Sequence, residues 1–483
     1  MEVSRSMPKW AAWTALVLVT IAAAWLRLHG IGDKSFWTDE GISAAFTRLG
    51  WFDLLRVLWR REGNMALYYL LLRAWSHVGD SEAVLRGFSA VCSVATVPVL
   101  FLLGRKLFGE WTGAAAALLW SVNAYAVRYG QEARSYSLVA LLATLASYFF
   151  VEALQSGRKR DWSWYVALSV LAIYAHFFAV LVVLAMTVVL WNSSAKSEIL
   201  RADKRIALFS LPAWIFITTT GTGPINWIPR PNLRGMWIIF GDYAGHGGLP
   251  LTLLYLLGIL LATFAAWRFP TRQSYRLLLA WFVMPIAITF VVSLAKPVLM
   301  PRYLFICIPA LVLLVAAGMS SLSSRWLALS LLGVICWLSL GGVRGYYERD
   351  FDLTREDFRS AASYIVSHAA PGDAIAFHKG QNRFAYSYYA DRSMGAAKPA
   401  IVYPGADQPT WRDFASKVTP QTLETVRQHR GRVWLLISEN MRATGEDAVA
   451  QQLKHAADDH HRLTEQRDFT TLRAYLFVPI NER

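Results

Sequence analysis

Apolar runs of similar length dominate the first 344 residues, separated by short polar connections. A helix needs about 20 mostly apolar residues to cross the hydrocarbon of a bilayer. By that measure the runs at 10–26, 84–103, 112–127, 135–154, 163–176, 177–192, 206–222, 249–267, 277–295, 303–320 and 326–343 predict about eleven membrane-spanning helices. The first run follows Arg5 and Lys9 as a signal peptide's would. No small-residue cleavage site comes after it, so it is read as a retained anchor. The stretch 163–192 fits either two short helices folded at Tyr174-Ala175-His176 or one long tilted helix.

Two segments carry a different pattern. Residues 41–61 interleave Ile42, Phe46, Leu49, Phe52, Leu55 and Trp59 with arginines at roughly helical spacing, which predicts an amphipathic helix lying on the outer leaflet. Residues 64–78 predict a second short helix, with Tyr68 and Tyr69 at head-group level. Beyond residue 345 the apolar runs shorten. Strand-like stretches at 374–377, 432–438 and 472–478 alternate with helical patterns at about 354–368, which has a capping-type start, and at 442–457. The expected architecture is a polytopic α-helical membrane domain over 1–344, with outer interfacial helices at about 41–78. A small α/β extracytoplasmic domain follows over 345–483.

Composition supports this reading. Residues of the AVILMFWYC set make up 55 % of the 483-residue chain, charged residues 17 %, and mean hydropathy is +0.33. A soluble domain carries about 25 % charged residues, so a cytosolic enzyme, a disordered regulator and a disulfide-stapled secreted module are excluded. Residues 345–483 hold 18 basic and 18 acidic side chains, so the net charge of +15 sits wholly in residues 1–344. An excess placed between apolar spans fits anionic lipid head groups, not nucleic acid. Cys92, Cys307 and Cys336 lie in apolar runs and form no metal-binding spacing. The basic connections at 105–106, 158–160, 196–205 and 268–276 share the side of the N-terminus, which the positive-inside rule makes cytoplasmic. An odd number of spans then puts the C-terminal domain outside. Arg48, Arg56, Arg60, Arg61 and Arg73 in the first outer loop run against the rule.

Candidate chemistry gathers in the outer connections. Asp39-Glu40 follows the first span by about a dozen residues, between Phe36-Trp37 and Gly41. Acidic residues there favour a helix start through its unpaired N–H groups and dipole, and one of the pair can cap while the other faces a cavity. Arg128, Glu132 and Arg134 share one short connection, which reads as an ion-paired hairpin or as a phosphate grip, since guanidinium groups bind phosphate oxygens bidentately. Lys296, Arg302 and Tyr303 flank a proline-bounded loop, read as interfacial anchors or as a cationic clamp. Asn226, Trp227, Asp242 and His246 are placed in a further long outer loop, a kind that often carries binding functions. His176, beside Tyr174 and Phe177-Phe178, is the one histidine near a supposed cavity. His460-His461 beside Asp458-Asp459 reads as polar surface or as a metal site.

In their order along the chain, the Asp39-Glu40 loop, the helix after it, Leu67-Tyr68-Tyr69-Leu70-Leu71-Leu72, the segment 79–86, Gln131-Glu132-Ala133-Arg134-Ser135-Tyr136, the segment 174–178, Pro301-Arg302-Tyr303 and Arg355-Glu356-Asp357-Phe358-Arg359 resemble the polyprenyl-phosphate-sugar-dependent glycosyltransferases of the C superfamily. The resemblance is nearest to the family 39-like branch, with its protein O-mannosyltransferases and lipid A aminoarabinose transferases. It implies an inner-membrane bacterial enzyme with a polyprenyl-phosphate-linked sugar as donor and a lipid, glycan or protein as acceptor. The expected reaction is an inverting displacement at the anomeric carbon on the outer face. Asp39 would be the general base, Glu40 would orient acceptor or donor, and Glu132 would share that task. Arg128, Arg134, Lys296 and Arg302, with Tyr303, would meet the phosphate; Asn64, Tyr68, Tyr69 and His176 would line the acceptor side or the cavity. No cofactor is required, and a divalent metal, where one assists, would fall to Asp39 and Glu132. The stretch Asn64-Met65-Ala66 stands where relatives often have His-Pro-Pro, which leaves the acceptor class open. Two other readings remain: a ligase or lipid-modifying transferase with a different donor, and a secondary transporter, against which the scarcity of midplane charges and of repeats argues.

Overall fold

The computed structural model describes residues 8–220, 228–268, 272–349, 355–393, 397–404, 418–438 and 447–480. Its chain divides into two compact units. One comprises Met1–Ile31, Leu58–Trp75 and Ala83–Arg349, the other Gly32–Val57, Ser76–Glu82 and Asp350–Arg483. The second unit therefore includes stretches 32–57 and 76–82, which the sequence pattern had grouped with the membrane domain.

The first unit is helical. Among the described residues seven helices are long and apolar enough to cross a membrane: Lys9–Leu28, Glu82–Phe108, Tyr136–Ser156, Gly248–Arg268, Gln273–Ala295, Pro301–Ser320 and Arg325–Glu348. The chain is thus a multi-pass membrane protein, and four of the eleven expected spans differ in form. The run at 112–127 is two helices, Glu110–Val122 and Ala124–Gly130, because Asn123 leaves helical geometry and its Oδ1 accepts from Ala126 N–H at 2.9 Å, starting a new helix. The stretch 163–192 folds at His176, as one of its two readings expected, into Lys159–Ala175, a 3₁₀ turn Phe177–Ala179 and Val180–Val189. The run at 206–222 falls across Lys196–Phe209 and Leu211–Thr220, interrupted at Ser210, and residues 221–222 lie outside the described ones.

Pro301–Ser320 is the most enclosed of the seven, with 89 % of its apolar window buried. It is admitted to the centre by small residues. A β-carbon on Gly318 would lie 2.1 Å from the carbonyl oxygen of Gly258, so the two helix backbones are in direct contact. Close backbone approach of this kind is how helices associate where lipid removes the hydrophobic drive between them.

The second unit is a three-layer α/β arrangement. Strands β1 (Ala374–Phe377), β2 (Ala400–Tyr403), β3 (Val433–Ser438), β4 (His461–Phe469) and β5 (Leu472–Pro479) form one sheet in the order β2-β1-β3-β5-β4. The pairs β1–β2 and β1–β3 are parallel, while β3–β5 and β4–β5 are antiparallel. Strand residues alternate between faces. Trp434 and Leu436 join Ile375, Phe377 and Leu476 under the helices Phe358–His368 and Asn382–Ala390. Val433, Leu435 and Ile437 face the opposite layer with Leu453 and Phe477. Strands β2 and β4 were absent from the sequence reading, being either too short or too polar to stand out. The helix expected over 354–368 begins at Phe358, with Asp357 as its cap, and the one expected over 442–457 includes Ala448–Asp458, residues 354 and 442–446 lying outside the described ones.

The expected interfacial helix over 41–61 is divided among three pieces, Thr38–Thr47, Trp51–Val57 and the π-helical turn Leu58–Glu62. Thr38–Thr47 buries eight of its ten residues, Glu40 and Phe46 among them. Trp51–Val57 leaves Trp51, Phe52 and Leu55 exposed, and the turn after it leaves Trp59 exposed. The second expected helix is Ala66–Trp75, where Tyr68 and Tyr69 are each 1 % exposed, so they are core residues and not head-group anchors.

Candidate active site

In the helical unit, Ala124–Gly130 and Tyr136–Ser156 are joined by a connection that the sequence placed in an outer loop. It is fully enclosed: Glu132 is 0 % exposed, and Arg128 and Arg134 are 6 % each. Its seat is built from polar ties. The Gln131 side-chain amide donates to the carbonyls of His29 at 2.6 Å and Arg27 at 3.1 Å. The Ser89 hydroxyl donates to the Arg134 carbonyl at 3.2 Å and lies 3.2 Å from the Tyr68 hydroxyl. Arg134 Nη1 donates to the Tyr69 hydroxyl at 2.6 Å, and its guanidinium stands 5.9 Å from the Tyr69 ring centre. Of the expected acceptor-side residues, Tyr69 is thus tied directly to this connection, and Tyr68 through Ser89. Asn64 is half-buried one turn earlier, in the 3₁₀ turn Gly63–Met65.

The 3₁₀ segment Pro301–Cys307 brings a second set of groups to the same place. His176 packs against Tyr303 at 5.3 Å and Tyr136 at 6.0 Å between ring centres, and Tyr129 packs against Phe305 at 5.1 Å. Arg302 stands 5.7 Å from the Tyr303 ring and acts electrostatically on Tyr129, Tyr136 and His176; Arg134 acts on the last two. His176 is 2 % exposed, with Nδ1 accepting from Phe178 N–H at 3.3 Å. Arg128, Glu132, Arg134, Arg302, Tyr303 and His176 are therefore one cluster. It is cationic on balance and walled by Tyr129, Tyr136 and Phe305. Lys296 is not brought in: it is exposed at the end of the helix Arg272–Ala295, and among the described residues no contact links it to the cluster.

Asp242 lies in the helix Leu233–Ala244 and not in a loop, 2.9 Å from His246. Asn226 and Trp227 fall outside the described residues. Sequence reasoning missed Arg27, which is 0 % exposed and donates to Ser93 Oγ at 2.7 Å and to the carbonyls of Trp120 and Ser121. Its position one residue past the first apolar run was the available signal.

The second unit holds the Asp39-Glu40 pair in the first turn of Thr38–Thr47. Trp37 is the N-cap and makes no side-chain cap bond, so neither acidic residue occupies the cap itself. Asp39 is half-buried and Glu40 fully buried. Around them, Arg359 donates to the carbonyls of Gly32 and Asp33 and to Glu82 Oε1, at 2.7, 2.8 and 2.7 Å. The Tyr389 hydroxyl donates to the same Glu82 oxygen at 2.9 Å. Among the described residues no group of three or more His, Cys, Asp or Glu gathers at metal-ligand spacing. His461 in particular is buried in β4 with its ring nitrogens at the carbonyls of Ala457 and Gly431.

Residues 65–219 match the family model described as dolichyl-phosphate-mannose-protein mannosyltransferase. No curated protein sequence is matched. Among solved structures, ArnT from Cupriavidus metallidurans, in the apo state and bound to undecaprenyl phosphate, is similar with a TM-score of 0.62 at 13 % identity, over 96 % of this chain and 98 % of that one. The archaeal oligosaccharyltransferase AglB from Archaeoglobus fulgidus, in complex with an inhibitory peptide and a dolichol-phosphate, gives 0.54 at 12 % identity, over 98 % of this chain and 76 % of that one.

Proposed function

We propose that this chain, a glycosyltransferase of the C superfamily by its fold and by the mannosyltransferase-family match over residues 65–219, moves a sugar from a polyprenyl-phosphate donor to an acceptor hydroxyl on the outer face of a bacterial inner membrane. The observation that carries this reading is the cluster of buried Arg128, Glu132 and Arg134 with half-buried Arg302. Ionisable groups are costly inside a membrane domain, so their concentration in one enclosed place points to a functional demand. The demand they fit is a phosphate: guanidinium groups match its oxygens, and charge stabilisation is strongest where water is excluded. ArnT, a neighbour in fold, is seen with undecaprenyl phosphate, which supports a carrier of that chemistry here.

In this reading Asp39 takes the proton of the acceptor hydroxyl, and the acceptor oxygen attacks the anomeric carbon. The bond from that carbon to the phosphate oxygen breaks with inversion, and the polyprenyl phosphate departs with the electron pair. Arg128, Arg134 and Arg302 stabilise the charge that grows on it, while Glu40 and Glu132 orient the reactants. A base of this kind contributes roughly 10² to 10⁴ in rate. Tyr303 meets the phosphate beside the arginines, and Tyr68, Tyr69, Asn64 and His176 shape the acceptor side or the cavity.

The test is a donor screen with purified protein in lipid, offering radiolabelled undecaprenyl-phosphate-linked hexoses and pentoses with a membrane extract. Label passing to a new product with wild type and not with Asp39→Asn is the expected result. Full transfer by a folded Asp39→Asn protein would overturn the base assignment, and no transfer from any donor by wild type would overturn the donor class.

A further inference from the structure

The helix Thr38–Thr47 starts without a local cap. The first N–H groups of a helix have no partner within it and are ordinarily satisfied by the side chain of the N-cap residue. Trp37, at that position, has no side chain able to accept. The partner comes from 318 positions away. Glu356 Oε2 accepts from the Thr38 N–H at 3.4 Å, and Glu356 Oε1 lies 3.0 Å from Thr38 Oγ1. The same hydroxyl lies 3.0 Å from Asn382 Oδ1.

The orientation of Asn382 is fixed, because its Nδ2 donates to the His378 carbonyl at 3.0 Å and to Ser438 Oγ at 2.6 Å. Its Oδ1 can therefore only accept. The Thr38 hydroxyl thus stands within hydrogen-bond distance of two acceptors, Asn382 Oδ1 and Glu356 Oε1, and holds both to the first turn. Burial pushes the Glu356 carboxyl above its usual range, against smaller opposing effects of hydrogen bonds from its own backbone and Thr38 and of the charge on Lys379.

Glu356 is not isolated in this task. Each polar member of the Arg355-Glu356-Asp357-Phe358-Arg359 motif has a visible part in fixing the segment 32–38 or the helix that carries the motif. The Arg355 guanidinium stands 5.0 Å from the Trp37 ring centre. Asp357 caps its own helix at Ser360 N–H, 3.1 Å, and donates its N–H to the Thr470 carbonyl, which ties the motif to the turn between β4 and β5. Arg359 collects the carbonyls of residues 32–34, and its N–H donates to Ser35 Oγ at 3.0 Å. A continuous set of bonds thus runs from the C-terminal sheet to the residue directly before Asp39.

We propose that Glu356 is a positioning residue for the transfer reaction: through Thr38 it fixes the first turn that carries Asp39, so the C-terminal unit sets the place of the base. This rests on Asp39 being the base. The role of the C-terminal unit would then be geometric, beyond any contact it makes with an acceptor.

The experiment uses the full chain in lipid nanodiscs and compares wild type, Glu356→Ala, Glu356→Gln and Asp39→Asn. Amide hydrogen exchange over 36–44 is read without any substrate. Turnover is read with the undecaprenyl-phosphate-linked hexoses and pentoses of the donor screen. With Glu356→Ala, exchange at 38–41 is expected to rise at least tenfold and kcat to fall at least tenfold, with the donor KM within about twofold of wild type. Glu356→Gln, whose amide can accept from Thr38 N–H and donate to Thr38 Oγ1, restores both. Thr38→Val, which removes only the hydroxyl, repeats the pattern if Glu356→Ala fails to fold. Wild-type exchange and turnover in Glu356→Ala would overturn the proposal, as would a Gln variant as impaired as the Ala one. If the exchange pattern holds while Asp39→Asn transfers normally, the base assignment has failed and the anchoring has not.

Discussion

Gly41 has no room for a side chain. A β-carbon there would sit 2.5 Å from Ala385 Cβ and 2.6 Å from the Ala385 backbone nitrogen, so the helices Thr38–Thr47 and Asn382–Ala390 meet almost backbone to backbone. Overpacking a fitted contact costs about 1–3 kcal/mol. Gly41→Ala is therefore expected to lift the helix that bears Asp39 and lower transfer more than stability, read as a kcat loss set beside thermal unfolding of the purified protein. Unchanged kcat would show that this contact does not set the base. The glycine's neighbourhood was legible in the sequence as a tight place after two acidic residues. Its partner was not, since Ala385 is an unremarked small residue in a polar helix hundreds of positions later. The same holds for Glu356, whose motif was visible without its use, because a cap supplied from a distance leaves no local spacing to read.

At the scale of elements, polar residues decide where apolar runs stop being single helices. Hydropathy alone could not separate Glu110–Val122 from Ala124–Gly130, because the break depends on Asn123 capping Ala126 and not on any loss of apolar character. The break at His176 was legible because aromatic and polar groups interrupt the run there. In the sheet, the entry to β1 is pinned by Asp373, which accepts from Arg432 at 2.9 and 2.7 Å, from Trp434 Nε1 at 3.0 Å and from Ala370 N–H at 3.0 Å. Burial alone would raise this carboxyl; the Arg432 pairing and the other bonds outweigh it and leave it below the usual range. A depressed folded value means the stabilisation is complete above the unfolded value, about 3.9, and is lost as pH falls through the folded one. Exchange protection of β1 and β3, corrected for intrinsic rates, should hold at neutral pH and weaken below about pH 4. Asp373→Asn should weaken it at neutral pH by about 2–3 kcal/mol, with the difference from wild type shrinking as pH falls through the folded value. Protection that is indifferent to the substitution would refute the pin.

For the molecule as a whole, the arrangement of charges along the sequence supports a direction across the membrane. The prediction is that Arg462→Cys, at an exposed position of β4, is labelled by a membrane-impermeant maleimide in intact cells. Arg201→Cys, exposed on Lys196–Phe209, should react only after permeabilisation. Cys92 and Cys307 are buried and Cys336 is largely so, which keeps the background low. The opposite pattern would reverse the orientation. The two-part character of the chain was plain in its composition. Its division was not, because stretches 32–57 and 76–82 look like outer loops of the membrane domain by position and belong to the other unit by contact.

That division bears on how the protein is made. The turn that carries Asp39 is translated more than 300 residues before the groups that satisfy its first N–H and hydroxyl, Glu356 and Asn382. A chain interrupted after residue 349 would have inserted its apolar helices while still lacking the far partners of Thr38. With Asp39 as the base, competence to act would then arrive only once residues 356 and 382 are made, so a chain that had inserted its helices but not yet made them would be silent without any inhibitor to keep it so.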